Sequence, residues 1–141
     1  MTQTFIIDGE LADFNKYVNA CRGHYAKGNR FKQEQDDIVM AYIRKARVKP
    51  MDGPIEVGIS WIEGRRRGGK LRDVDGIAAA TKFILDALVK CGIIPDDNPR
   101  IVRNVYHYYM FNADNPHIEV TLMEYDPNGR TVHYMPITGL D

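Results

Sequence analysis

Residues 55–92, which read IEVGISWIEGRRRGGKLRDVDGIAAATKFILDALVKCG, decide the fold because they join a strand, a basic loop and a helix. Apolar residues occupy every second position across Ile55–Trp61, which is the period of a strand with one buried face. Across Gly76–Cys91 they recur at helical spacing, and Gly92 is a typical helix stop. The charged, glycine-rich sequence between these two segments cannot belong to a core, so it predicts an exposed loop.

The flanking sequence adds further elements on both sides. A helix is predicted from Asn29 to about Arg47, whereas residues 13–28 stay ambiguous because two glycines interrupt their helical spacing. A DPNG turn at 126–129 predicts a further hairpin through 131–137. The other predicted strands are Thr4–Leu11, Ile101–Phe111 and His117–Tyr125, the last two joined by a turn at Asn112–Pro116. This order predicts an α+β fold with a mixed sheet of about four strands and two main helices.

Length and composition predict one soluble domain over residues 1–141. Of the 141 residues, 44% are hydrophobic and 27% are charged, which provides enough apolar surface for a core. No apolar run approaches the roughly 18 residues of a spanning helix, and the N-terminus lacks the pattern of a signal peptide. We therefore expect a cytoplasmic protein without membrane contact. The cysteines and histidines show no spacing typical of a metal site or a disulfide framework.

The net charge of zero hides a strong segregation of charge along the chain. Residues 16–33 contain five basic residues and no acidic one, and residues 44–72 contain nine basic residues and three acidic ones. Residues 112–141 reverse the balance, with one basic and five acidic residues. One face can therefore attract phosphates while the molecule remains neutral overall. An ordinary solvated surface is the favoured interpretation for 16–33 but not for the arginine-rich segment 65–72.

Two carboxylates stand between the basic loop and the following helix. Asp73 and Asp75, two positions apart in an extended segment, point to one side and can share one hard cation. A plain helix N-cap explains Asp75 equally well, but it does not explain Asp73. The loop also fits G-x-x-x-x-G-K, the start of a phosphate-binding P-loop, but Leu71 stands where that motif needs Ser or Thr. We therefore interpret it as a loop whose arginines contact a nucleic-acid backbone.

Two further features lie on and beyond the helix. Asp96 and Asp97 follow it in a polar turn, and because the helix is roughly 24 Å long, Asp97 meets Asp75 only if the chain doubles back. Lys82 lies seven residues, close to two helical turns, after Asp75 and can face it. An exposed pair with Asp86 explains Lys82 equally well. From the residues alone, both interpretations stay open.

Taken together, residues 65–98, RRRGGKLRDVDGIAAATKFILDALVKCGIIPDDN, resemble the RusA family of Holliday-junction resolvases. The family pattern is a basic run, D-x-D-N, a helix with a lysine, D-A-L-x-x-x-G, and an acidic turn before a strand. The order of the outer elements also matches up to about Tyr125, which leaves 126–141 as a family-variable C-terminal tail. Gly76 departs from the pattern, which has Asn there, and Lys82 lies one turn later than in compact members.

The resemblance implies a homodimeric nuclease that uses Mg²⁺, with Mn²⁺ as a substitute. The implied metal ligands are Asp73, Asp75 and Asp97, with Asp96 as the less favoured neighbour of Asp97. Lys82 matches the helix lysine and completes the implied catalytic set. The implied DNA contacts are Arg65, Arg66, Arg67, Lys70 and Arg72 in the loop, and Lys27, Arg30 and Lys32 before it.

Such an enzyme would resolve four-way junctions by paired symmetric nicks during DNA recombination and repair, in a bacterial or phage-infected cell. The metal would lower the pKa of a bound water for in-line attack, and Lys82 would stabilise charge on the pentavalent phosphate. Two alternatives remain. One is a catalytically impaired junction-binding protein, motivated by Gly76 and the displaced lysine. The other is a related nuclease acting on other branched DNA, on flaps or on RNA.

Overall fold

The structure is a computed structural model that describes residues 1–23 and 25–128 of the chain. The sheet order is β1-β4-β2-β3, in which β4 runs antiparallel to β1 and β2, and β3 runs parallel to β2. The strands are β1 (Thr2–Asp8), β2 (Ile55–Glu63), β3 (Val102–Phe111) and β4 (His117–Glu124). The helices are α1 (Phe14–Gly23), α2 (Tyr25–Lys45), α3 (Val74–Ala78) and α4 (Thr81–Lys90), with a 3₁₀ turn at Arg67–Gly69. The predicted α+β class and four-stranded mixed sheet are confirmed, and the predicted hairpin through 131–137 lies outside the described residues.

The core lies between the sheet and the pair of helices α2 and α4. The predicted inward face of β2, Ile55 to Trp61, is buried in it. The expectation of a single buried face is wrong, however, because Ser60 and Ile62 on the opposite face are also fully buried. Burial on both faces means that both sides of the sheet are covered at β2. The main core contacts come from Phe5, Ile7, Val39, Ile43, Val57, Ile59, Trp61, Phe83, Ile84, Leu88, Ile118, Val120 and Leu122.

The single helix predicted over Gly76–Cys91 is divided in two. α3 begins at Val74, before the predicted start, and a turn at residues 79–80 separates it from α4. The N–H of Ala80 donates to the carbonyl of Ile77 at 3.1 Å, the tighter spacing of a 3₁₀ turn. Alanine favours helix, so local propensity predicts no break here, and burial of Ile77 and Ala80 decides the path of the chain. The predicted stop at Gly92 is confirmed, with a left-handed φ of +72°.

Most of the ambiguous segment 13–28 is helical. Residues from Phe14 to Gly23 form α1, and residues from Tyr25 onward form the start of α2. α1 ends at Gly23, as the low helix propensity of glycine predicts, whereas Gly28 lies inside α2 despite that low propensity. Gly28 is buried where α2 packs against Cys21 of α1, a position with no room for a side chain. Within residues 1–23 and 25–128, no helix combines the length and apolarity needed to cross a bilayer.

Candidate functional site

The loop after β2, the start of α1 and the start of α3 enclose an open cavity of about 400 Å³, here called the acidic cavity. Both members of the predicted D-x-D pair, Asp73 and Asp75, line it. The remaining wall consists of Asp13, Phe14, Asn15, Lys70, Leu71, Arg72 and Gly76. The structure therefore brings the two predicted carboxylates and one predicted DNA-binding lysine to the same depression.

The two carboxylates have different roles in the backbone from those predicted. Asp73, not Asp75, occupies the N-cap position of α3, with extended backbone, and its side chain makes no capping hydrogen bond. Asp75 lies in the first helical turn and accepts the N–H of Gly76 at 2.9 Å. Both side chains are exposed. The Asp73 carboxylate is thus not used to cap the helix and faces the solvent in the cavity.

Asp13 joins this cavity although it was not among the predicted site residues. Its Oδ1 accepts the N–H of Lys16 at 3.0 Å, so that Asp13 caps the first turn of α1. An Asp just before an apolar helical pattern is a recognisable cap signal in the sequence. Nothing in the sequence around Asp13, however, indicates that it lies beside Asp73 in space, because the two residues are sixty positions apart in the chain.

Asp97 lies in the turn after α4. Burial raises its pKa, and the nearby charges of Asp86 and Asp96 raise it further. Asp96 instead accepts the N–H of Asp97 at 2.7 Å and the side-chain amide of Asn98 at 2.9 Å, and these bonds lower its pKa. In the part of the chain that the structure describes, no three His, Cys, Asp or Glu side chains form a group able to hold a metal ion. The structure therefore does not bring Asp97 together with Asp73 and Asp75.

Lys82 lines a second, smaller cavity of about 210 Å³ that also contains Asp13 and Phe14. Because these two residues also line the acidic cavity, the two depressions adjoin. The Lys82 side chain is 55% exposed, and its Nζ lies 4.0 Å from the Asp86 carboxylate, so the alternative pairing considered for it is present. An ion pair this long and exposed contributes little to stability, which leaves the ammonium able to reach a phosphate.

The arginine-rich loop divides into buried and exposed members. Arg72 is 10% exposed and binds Glu63 through two parallel contacts of 2.7 and 2.8 Å, and it also donates to the Leu11 carbonyl at 2.9 Å. Arg66 pairs with Glu10 and, at 3.5 Å, with Glu63. Burial lowers the pKa of Arg72, but its bonds to Glu63 outweigh that effect and raise it. Both guanidinium groups thus hold the loop to Glu63 at the end of β2 and to the segment that follows β1, a structural role that their prediction as DNA contacts did not include.

The other predicted contacts are distributed over the surface. Arg67 and Lys70 are exposed, and Arg65 is 73% exposed with only a 3.6 Å pair to Asp114. On α2, Lys27 and Arg30 are exposed. Lys32 differs, because its Nζ lies 2.7 Å from Asp36 and 2.6 Å from Asp86. Lys32 therefore joins α2 to α4, and the exposed basic residues of the set are Lys27, Arg30, Arg65, Arg67 and Lys70.

Neither a family model nor a curated protein matches the chain. The interpretation of the site therefore depends on its own chemistry. Mg²⁺ is commonly held by one or two carboxylates together with substrate phosphates and waters. Asp73 and Asp75 provide such a pair at an open cavity, so these residues fit a hard divalent cation that phosphates help to hold.

Proposed function

We propose that this chain is a Mg²⁺-dependent endonuclease for branched DNA, with the four-way junction as its expected substrate. The observation that supports it best is the position of two exposed carboxylates, Asp73 and Asp75, in one open cavity beside exposed basic residues. Metal-dependent cleavage of DNA uses a cation at the reacting phosphate, and binding of the flanking backbone uses positive charge on the protein. The acidic cavity and its rim provide residues suited to each.

In this proposal Asp73 and Asp75 hold the metal, which when bound supplies Lewis-acid activation of the phosphate and of an attacking water. Lys70 lies in the same cavity and orients the phosphate by its charge. Lys82 reaches the adjoining cavity and stabilises the negative charge that develops on the phosphate oxygens. Arg66 and Arg72 act indirectly, because they fix the loop that carries Asp73.

The exposed residues of the loop and of α2 extend the proposed surface for DNA. Arg65, Arg67 and Lys70 contact the backbone near the cut, and Lys27 and Arg30 contact a more distant arm. Such contacts position the substrate without reading its sequence. Paired nicks across a four-way junction require two active sites, so the proposal includes a homodimer.

Nicking of a labelled four-way junction in Mg²⁺ tests the proposal. We expect the wild-type chain to nick it, Asp73→Asn to abolish nicking, and Lys82→Ala to lower the rate by about a hundredfold because transition-state charge loses its stabilisation. Asp52→Asn is the matched control, since Asp52 is an exposed carboxylate outside both cavities. Equal nicking by all four proteins would contradict the site assignment.

Two further measurements ask whether Asp97 binds the metal and whether the chain binds junctions without cutting them. Loss of nicking in Asp97→Asn comparable to that in Asp73→Asn would add Asp97 as a ligand in the DNA complex, whereas unchanged nicking leaves the metal with Asp73 and Asp75. Salt-sensitive junction binding without nicking would identify the junction-binding protein, which Gly76 favours. A Cβ at Gly76 would meet only the Cβ of Asp13 at 3.9 Å, so Gly76→Asn fits and should restore nicking in that case.

A further inference from the structure

A cavity beside the acidic one is lined by both cationic and apolar side chains. It measures about 360 Å³ and lies between the arginine-rich loop and the end of β3. Its walls are Arg65, Arg66, Gly69, Leu71 and Phe111, and we call it the loop–strand cavity. Leu71 lines the acidic cavity as well, so a ligand that spans both cavities passes over this one side chain.

The apolar walls of the loop–strand cavity are unusually accessible. Phe111 is 49% exposed and Leu71 is 50% exposed. Phe111 is the last residue of β3, which is an edge strand of the sheet within residues 1–23 and 25–128. A large aromatic side chain left open to water beside arginines is typical of a binding surface more than of a folded core.

The aromatic character continues along the same face of β3. The rings of Trp61 and His107 lie 6.1 Å apart, and those of His107 and Tyr109 lie 6.2 Å apart, with interplanar angles of 15° and 14°. Strand alternation places Tyr109 and Phe111 on one face. Tyr109 is 39% exposed; burial raises its pKa, and the charge of Asp75, which lines the acidic cavity, raises it further.

The charge around this aromatic face identifies the occupant. Arg65 lines the loop–strand cavity, Lys70 lines the adjoining acidic cavity, and Arg67 is exposed in the same loop, so the nearby cations suit a polyanion and not an apolar peptide. Nucleobases stack on aromatic rings and on guanidinium planes, while their phosphates bind cations. Stacking is available only to a base that has left its duplex, as a base at a branch point does more readily than one inside a helix.

We propose that the loop–strand cavity binds an unpaired nucleobase, stacked on Phe111, from the strand whose phosphate occupies the acidic cavity. The inference rests on the proposed function for the identity of that neighbouring phosphate. Binding of an unpaired base would favour branched DNA over a continuous duplex, because the duplex offers no base to fill the cavity. Leu71 lines both cavities and so lies between the base and the phosphate, and Arg65 lines the cavity that holds the base.

Fluorescence of 2-aminopurine, placed at an unpaired branch position or inside a matched duplex, tests this inference in Ca²⁺ without Mg²⁺, so that a hard cation remains at the carboxylates beside the phosphate. We expect the wild-type chain to quench the branched probe through stacking and to leave the duplex probe unchanged. Phe111→Ala should remove the quenching and weaken binding of the branched DNA by about tenfold or more. Phe111→Trp should restore both, since it preserves an aromatic surface.

Tyr108→Ala is the matched control, because Tyr108 is the neighbouring aromatic residue on the opposite face of β3. Thermal unfolding of each variant establishes that it is folded. Quenching and affinity that stay at wild-type values in folded Phe111→Ala would overturn the inference even if the chain nicks junctions in Mg²⁺. Phe111-dependent quenching by a chain that does not nick would support the inference while the nuclease proposal fails. Absence of binding to the branched probe would overturn it.

Discussion

Arg72 shows how one residue can look like a DNA contact in the sequence and have another role in the fold. It lies in a run of basic residues immediately before Asp73, yet its side chain is 10% exposed and that of its partner Glu63 is 7% exposed. Its third contact, to the carbonyl of Leu11, ties the end of β2 to the segment before α1. The guanidinium therefore holds together two of the three segments that enclose the acidic cavity.

We expect Arg72→Met to lower the free energy of unfolding by about 3 kcal/mol, because it leaves the buried Glu63 carboxylate with only the 3.5 Å contact to Arg66 among the pairs described above. The double variant Glu63→Leu/Arg72→Met should recover most of this loss, since no charge then remains buried. Urea denaturation measures both. If Arg72→Met kept the wild-type free energy of unfolding and only weakened DNA binding, the direct DNA contact predicted from the sequence would be correct instead.

At the scale of elements, α1 and α2 approach each other closely at one glycine. A Cβ placed on Gly28 would lie 2.8 Å from the Sγ of Cys21 and 3.1 Å from its Cα. The sulfur can rotate away, but the Cα belongs to the backbone of α1 and cannot move without shifting that helix. Gly28 is therefore required by packing, even though glycine is a poor helix former.

We expect Gly28→Ala to destabilise the protein by about 1 kcal/mol or more, because overpacking outweighs the gain in helix propensity. Gly23→Ala is the matched control, since a Cβ there meets no heavy atom within 4 Å. That control should be neutral or stabilising. Chemical denaturation of the two variants measures the difference, and equal stabilities would show that the helices do not pack as closely as described.

At the scale of the whole molecule, the shifted pKa values of several groups predict that the protein loses stability both in acid and in base. Burial raises the pKa of Cys91 above its ordinary 9.0, and burial and Cys21 raise that of Tyr17 above 10.0. Burial opposes the shift of Lys32, but bonds to Asp36 and Asp86 raise its pKa above 10.5. On the acid side, burial lowers the pKa of His107 below 6.5. His107 also accepts a hydrogen bond from Trp61 Nε1 at 3.0 Å, which protonation at Nδ1 would break.

These directions predict a stability plateau between pH 6.5 and 9.0, the ordinary values for His107 and Cys91. Above it, the unfolded chain loses protons that the native state retains, so stability falls, and the contribution of Lys32 is lost as pH rises through its folded pKa. Below it, the unfolded chain gains the proton that His107 refuses, and stability falls again. Urea denaturation from about pH 5 to about pH 11 measures the profile. His107→Phe should flatten the acid limb, and an unchanged limb would contradict the assignment.

The sequence by itself determined what depends on neighbours along the chain. Alternation in Ile55–Trp61 and helical spacing up to Cys91 correctly predict a strand and helical structure, because each period reports which side chains face the core. They predict neither the burial of the second face of β2 nor the break between α3 and α4. The adjacency of Asp73 and Asp75 to the basic loop likewise needs no tertiary information. A two-position spacing brings side chains to one side only in extended backbone, and here Asp73 is extended whereas Asp75 lies in the first turn of α3.

Only the tertiary structure decided what depends on residues distant in sequence. Arg66 and Arg72 are paired because the path of the chain brings Glu10 and Glu63 to them, and Asp13 reaches the acidic cavity by the same path. The break before Thr81 and the exclusion of Asp97 from the carboxylate pair also follow from how the elements pack. Local periodicity specifies burial of a face, but it carries no information on which distant charge or carboxylate will meet that face.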